Sequence, residues 1–235
     1  MVAGALAPTA VTIPINGEHV EADLTIPTLP SGLVIFAHGS GSSRHSTRNQ
    51  YVAQTLQERR LATLLADLLT PSEERADRYT RRWRFDIPLL ISRVNTLIDW
   101  TQADERLSAL GIGLFGASTG AAAALGAAAD RPKAVRAVVS RGGRPDLAGQ
   151  ALPLVKAPVL LLVGELDGEV IELNRQAMAA MRCPNRLEIV RGASHLFEEP
   201  GTLEHVARRA ADWFSFHLSN SGHGAGSASP GTPLE

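Results

Sequence analysis

The stretch Ile112-Gly113-Leu114-Phe115-Gly116-Ala117-Ser118-Thr119-Gly120-Ala121-Ala122-Ala123-Ala124 reads as a short apolar strand running into an alanine-rich helix, with a serine at the join. Residues 112–115 show no polar alternation, the pattern of a strand covered on both faces. Residues 119–129 are dominated by the best helix former. Gly116 and Gly120, two before and two after Ser118, suit a sharp strand-to-helix turn where neighbouring backbone leaves no room for larger side chains. A serine held there faces out of the core, beside the positive end and free N–H groups of a helix, which favour a developing oxyanion. Taken alone, these five residues also read as an ordinary turn or N-cap, so the rest of the chain decides.

Outward from this junction the same rhythm repeats. Apolar runs at 32–37, 62–68, 135–139, 159–163 and 187–190 predict buried strands, and helical spacing at 51–60, 88–101, 170–181 and 202–218 predicts helices between them. Two short β-like runs, 11–13 and 23–26, flank Asn16-Gly17, a hairpin signal. The expected fold class is α/β, with a mostly parallel central sheet flanked by helices on both faces. The expected organisation is one domain over residues 1–218. The connection between residues 139 and 159 is too short for a cap domain, and residues 219–235, rich in Gly and Ser, read as a disordered tail.

Composition narrows the function classes. Of 235 residues, 44% are hydrophobic and 20% charged, enough to build a sizeable core. A formal net charge of −1 gives no global attraction to nucleic acid or to an anionic membrane. No segment approaches the roughly 20 apolar residues of a membrane span. The lone Cys183 has no disulfide partner in the chain, which suits a reducing cytoplasm. No metal-spaced cluster of ligands and no cofactor site is expected; partners are expected to be small molecules, and the assembly a monomer or homodimer. Gly111-Ile112-Gly113-Leu114-Phe115-Gly116 matches a dinucleotide fingerprint in letters, but its glycines fall inside the strand and no acid ends the next one.

Acyl transfer by serine needs a base and a group to orient that base. The strand at 159–163 leads into Gly164-Glu165-Leu166-Asp167, and the strand at 187–190 into Arg191-Gly192-Ala193-Ser194-His195. Asp167 and His195 are thus expected on the carboxyl edge of the sheet, where open α/β sheets build their sites. Asp146, after the strand at 135–139, and Glu165 are rivals for the acid role. His38, at the end of the strand at 32–37, reads more readily as a loop brace than as a reacting group.

With His38-Gly39-Ser40-Gly41, the serine turn, Gly164-Glu165-Leu166-Asp167 and Gly192-Ala193-Ser194-His195 in place, the chain resembles the α/β-hydrolase superfamily, and more narrowly dienelactone-hydrolase-like proteins. The order Ser118, Asp167, His195 is the one this fold requires. The resemblance implies that Ser118 is the nucleophile, His195 the general base and acid, and Asp167 its orienter. It also implies an oxyanion hole from the backbone N–H groups of Thr119 and Ser40, with Gly39 or Gly41 as substitutes for Ser40. Dienelactone hydrolases proper use a cysteine where this chain has Ser118. Arg44, His45, Trp83 and Arg141 are candidate substrate-binding residues, and the cations from Arg78 to Arg84 read either as an anion-attracting rim or as a salt-bridged surface. The expected activity is cleavage of a small carboxylic ester or lactone; an acyltransferase using the same residues, or a non-catalytic binding protein on this fold, are the alternatives.

Overall fold

Asn16 and Gly17 both take positive φ, 46° and 84°, the paired left-handed geometry that closes a two-residue hairpin. They join β1 (Thr9–Ile15) to β2 (Glu18–Thr25), paired antiparallel. This computed structural model describes residues 7–219, so the tail expected over 219–235 lies almost wholly outside the described residues.

Beyond the hairpin, β3 (Gly32–Ala37), β4 (Leu61–Ala66), β5 (Ile112–Ala117), β6 (Val135–Arg141), β7 (Val159–Gly164) and β8 (Asn185–Val190) complete one sheet of order β1-β2-β4-β3-β5-β6-β7-β8. From β4 to β8 all neighbours are parallel, while β2 meets β4 antiparallel. Every residue of β3, β4, β5 and β7 is buried, which is why these strands lack alternation. Edge strand β8 is only partly covered and reads more polar.

Helices α1 (Thr47–Glu58) and α6 (Thr202–Leu218) pack on one face, where Val52, Leu56, Val206 and Phe214 meet Phe36, Phe115, Val139 and Leu162. The other face carries α3 (Ile87–Ala103), α4 (Thr119–Asp130) and α5 (Gly168–Ala180), with Leu90, Val94 and Ala177 joining the core of Leu33, Leu114, Val138 and Leu161. Thr119 to Ala128 are all buried, because alanine and glycine let α4 lie close between the sheet and α3.

One helix escaped the periodicity reading: α2 (Pro71–Thr80), followed by a 3-10 turn at Trp83–Phe85. Between β6 and β7 a 3-10 segment, Pro145–Leu154, breaks at Gly149 and packs against α4 and α5. Among the described residues no cap domain covers the sheet edge. From β3 the chain steps to β4 on one side, and from β5 to β6 on the other. The reversal falls between β3 and β5, whose ends pair at Ala37 and Gly116, and such a switch point opens a crevice.

Candidate active site

Ser118 sits at this switch point with φ 50° and ψ −122°, a conformation rarely taken by a residue with a Cβ and costing about 1–3 kcal/mol. The turn is possible because its flanks are bare. A Cβ on Gly116 would lie 2.5 Å from the Ala121 Cα, and one on Gly120 only 2.1 Å from the Ala37 carbonyl oxygen. Gly120→Ala is therefore expected to destabilise the fold by about 3 kcal/mol or more, since the clash is with backbone that cannot swing aside. Chemical denaturation of the purified variant checks this; a loss below 1 kcal/mol would mean that β3 and α4 are not held so closely.

The Ser118 N–H donates to the Arg141 carbonyl at 3.2 Å, and its own carbonyl accepts from the Arg144 N–H at 3.0 Å, so the serine backbone is pinned to the end of β6. The ring of His195 lies at that same strand end, with its Cε1 3.7 Å from a Cβ built on Gly142. His195 Nδ1–H donates to Asp167 Oδ2 at 2.5 Å. A carboxylate only accepts, so this bond fixes the proton on Nδ1 of the neutral ring and leaves the lone pair on Nε2.

The loops carrying the two residues are stitched together. Leu166 N–H donates to the Ala193 carbonyl at 2.9 Å, and Gly192 N–H to Glu165 Oε2 at 2.8 Å. Gly164 has no space for a side chain, since the Ala193 carbonyl oxygen lies 2.4 Å from where its Cβ would be. Of the rival acids, Glu165 is thus spent on its loop, and Asp146 forms a two-bond pair with Arg144 at 2.9 and 2.8 Å. Neither meets a histidine.

The β3 loop closes the other side of the serine: a Cβ on Gly39 would lie 3.0 Å from the Ser118 Cβ. His38 braces this loop, as its position suggested. Its Nε2 accepts from the Leu68 N–H at 3.1 Å, which leaves Nδ1 to donate to the Gly39 carbonyl at 2.9 Å. Packing around the ring nitrogens lowers the basicity of His38 and keeps it a neutral strut, although part of the residue still reaches the loop surface. The Ser40 N–H departs from expectation: it is engaged, donating to Thr119 Oγ1 at 2.9 Å.

Comparison with known proteins bears on this arrangement. A profile described as the Dienelactone hydrolase family matches residues 32–218. The crystal structure of a dienelactone hydrolase from Anabaena variabilis is 52% identical, with a TM-score of 0.89 over 91% of this chain and 99% of that one. The chain belongs to the dienelactone hydrolase family. Est1E from Butyrivibrio proteoclasticus, 16% identical, shares the fold with a TM-score of 0.74 over 88% of this chain and 98% of its own. Two Mycobacterium tuberculosis proteins that carry a provisional phosphoribosyl transferase name are 56% identical over 203 residues. That segment is 86% of this chain but 45% of theirs, so the chain spans about half the length of these relatives.

In this member of the dienelactone hydrolase family, a cavity of about 390 Å³ lies beside the β3 loop, with His38, Ser40, His45, Leu69, Arg84 and Leu90 among its walls. His45 lines this cavity, whose walls include neither Ser118 nor His195. Two other candidates do not line it. Arg44 is consumed by acids of its own chain: its N–H donates to Asp67 Oδ1 at 2.8 Å, its guanidinium pairs with Asp67, and Asp23 lies 3.7 Å away. Trp83 does not line the cavity; its N–H donates to Asp77 Oδ1 at 2.7 Å, and Arg82 covers its ring at 5.2 Å. Of the Arg78–Arg84 cations, Arg84 is bound to the buried Asp77 and Arg78 lies near Glu74 at 3.9 Å, and both also line the cavity.

Arg141 is different. It is only 9% exposed, its Nη1 has no partner among the described residues, and its guanidinium lies 5.9 Å from the Phe115 ring centre. Burial, reinforced by the neighbouring Arg48 charge, pushes its pKa down to about 10, so it stays cationic at neutral pH. Cys183 is buried away from this edge, on the opposite core, and burial pushes its thiol pKa up. Among the described residues no group of acids, histidines and cysteines has the form of a metal site, and no helix is long and apolar enough to cross a membrane.

Proposed function

We propose that the protein is a serine hydrolase that cleaves a small carboxylic ester or lactone through an acyl-enzyme on Ser118. The observation that carries this reading is the His195–Asp167 bond, which leaves Nε2 basic beside the strand end that pins the strained serine. In the first half of the cycle Ser118 Oγ adds to the substrate carbonyl while His195 Nε2 takes its proton. The oxyanion collapses, the C–O bond to the leaving group breaks, and His195 returns the proton to the departing alkoxide. In the second half water repeats the attack on the acyl-enzyme, activated by the same nitrogen. Asp167 stays ionised throughout and stabilises the imidazolium.

The phosphoribosyl transferase name belongs to proteins of which this chain spans 45%, whereas Ser118, His195 and Asp167 support acyl transfer to water. With only the short Pro145–Leu154 segment between β6 and β7, and no cap domain among the described residues, short acyl groups are favoured. The buried guanidinium of Arg141, whose backbone carbonyl accepts from the Ser118 N–H and whose Nη1 has no partner among the described residues, favours an anionic substituent on the substrate, because a buried charge without a partner is costly and a bound carboxylate offsets it.

Steady-state hydrolysis of p-nitrophenyl esters tests both points. Acetate and butyrate are expected to exceed laurate in kcat/KM. Arg141→Met is expected to lower kcat/KM for p-nitrophenyl hemisuccinate about 10-fold more than for the acetate. Equal losses on the two esters would remove Arg141 from substrate recognition, and turnover confined to long chains would contradict the size argument.

A further inference from the structure

The Ser40 amide is aimed at a side chain rather than at open space. Thr119 Oγ1 accepts its N–H at 2.9 Å, and Thr119 is only 5% exposed. A threonine hydroxyl has one proton to give, and among the described residues no acceptor receives it. Leaving a buried donor unmatched is costly, so such a proton marks a place where an acceptor arrives from outside.

Thr119 also opens α4, so its own N–H has no intrahelical partner. Two free donors thus belong to the residue next to the nucleophile. Backbone N–H and side-chain O–H of one threonine are separated by only two carbons and can converge on a single anion.

Resting on the reading of Ser118 as nucleophile, we propose that the Thr119 hydroxyl, not the Ser40 amide, is the second donor of the oxyanion hole. When Ser118 Oγ bonds to the substrate carbonyl carbon, the C=O electron pair moves onto oxygen. That oxygen then accepts hydrogen bonds from the Thr119 N–H and Oγ–H, with no proton transferred. Ser40 acts from behind: its N–H occupies a lone pair of the hydroxyl, which aims the hydroxyl proton and strengthens its donation. The β3 loop is in this account a positioning element for a side-chain donor.

The two arrangements predict opposite signs. If the Ser40 amide were the donor, the hydroxyl would have to leave first, and its removal would leave kcat unchanged or raise it. Thr119→Val, Thr119→Ala and Thr119→Ser are compared for p-nitrophenyl acetate turnover and for affinity toward a trifluoromethyl ketone, whose hemiketal mimics the tetrahedral oxyanion. Thr119→Val and Thr119→Ala are expected to lose about 10²-fold in kcat with KM little changed. Trifluoromethyl ketone affinity is expected to fall in parallel, and Thr119→Ser to restore both to within a few-fold of the parent.

Retained or raised kcat in Thr119→Ala overturns the proposal, as does an equal loss in Thr119→Ser, which would assign the effect to the γ-methyl packing. A loss seen in KM alone, with ketone affinity intact, also overturns it. The hydrolase reading fails separately, if the parent protein turns over no ester and binds no ketone. Thermal melts establish that each variant is folded.

Discussion

Ser118→Ala is expected to lower kcat for p-nitrophenyl acetate by about 10⁵-fold while leaving the melting temperature within a few degrees of the parent. The size of the loss follows from the proposed role of Ser118 Oγ as the atom that bonds to substrate, without which only binding and the proposed oxyanion donors act on attack by water. The small stability effect follows from the position: Ser118 opens α4 but its side chain makes no cap hydrogen bond, and alanine at φ 50° suffers the same backbone strain as serine. A large loss of stability would mean that the hydroxyl is structural. An activity loss below about 10-fold would mean that another group reacts.

Asp167→Asn is expected to lower kcat/KM by about 10⁴-fold with the fold intact. The present carboxylate accepts from His195 Nδ1 and so keeps the lone pair on Nε2. An asparagine amide in the same place donates to Nδ1 and moves the proton to Nε2, where it blocks the proposed base. Asp146→Asn is the internal control, expected to stay within about 10-fold, because that carboxylate is held by Arg144. If the two variants exchanged effects, the acid role would pass to the strand end of β6. Ester hydrolysis by the two purified variants decides between them.

Much of this site was legible because it is built from strand ends. Apolar runs without alternation mark buried strands, and Ser118, Asp167 and His195 each follow one, so the sheet brings them to a common edge even though 49 and 28 residues separate them in order. The hairpin was legible through Asn16-Gly17, two residues that tolerate positive φ.

Helix α2 was not, because it lacks the apolar face that periodicity detects; its one buried residue is Asp77. Its signal was of another kind: Thr70-Pro71-Ser72-Glu73 is a capping box with proline in the first turn, and both reciprocal bonds form, Thr70 N–H to Glu73 Oε2 at 2.8 Å and Glu73 N–H to Thr70 Oγ1 at 3.3 Å. Among its neighbouring cations Asp77 pairs with Arg84. Burial works against its ionisation, yet the Arg84 guanidinium and the Trp83 and Arg84 N–H groups hold its carboxyl below the usual range.

Pairings of this sort carry no local pattern. Arg44 finds Asp67 across 23 positions, and Ser40 finds Thr119 across 79. Sequence spacing therefore named the arginines near the edge but not which were already neutralised. It left Arg141 and Arg44 equivalent, although one is buried with no acid paired to it among the described residues and the other is held by two acids. The family resemblance likewise pointed to the Ser40 amide without showing that it donates to the Thr119 hydroxyl.

The most direct test of the account is covalent labelling with a fluorophosphonate, followed by mass mapping of the adduct. One phosphonyl group is expected on the peptide containing Ser118, absent in Ser118→Ala and formed far more slowly in His195→Ala. Labelling of a different residue, or none in the folded protein, would contradict the assignment of Ser118 as an activated nucleophile.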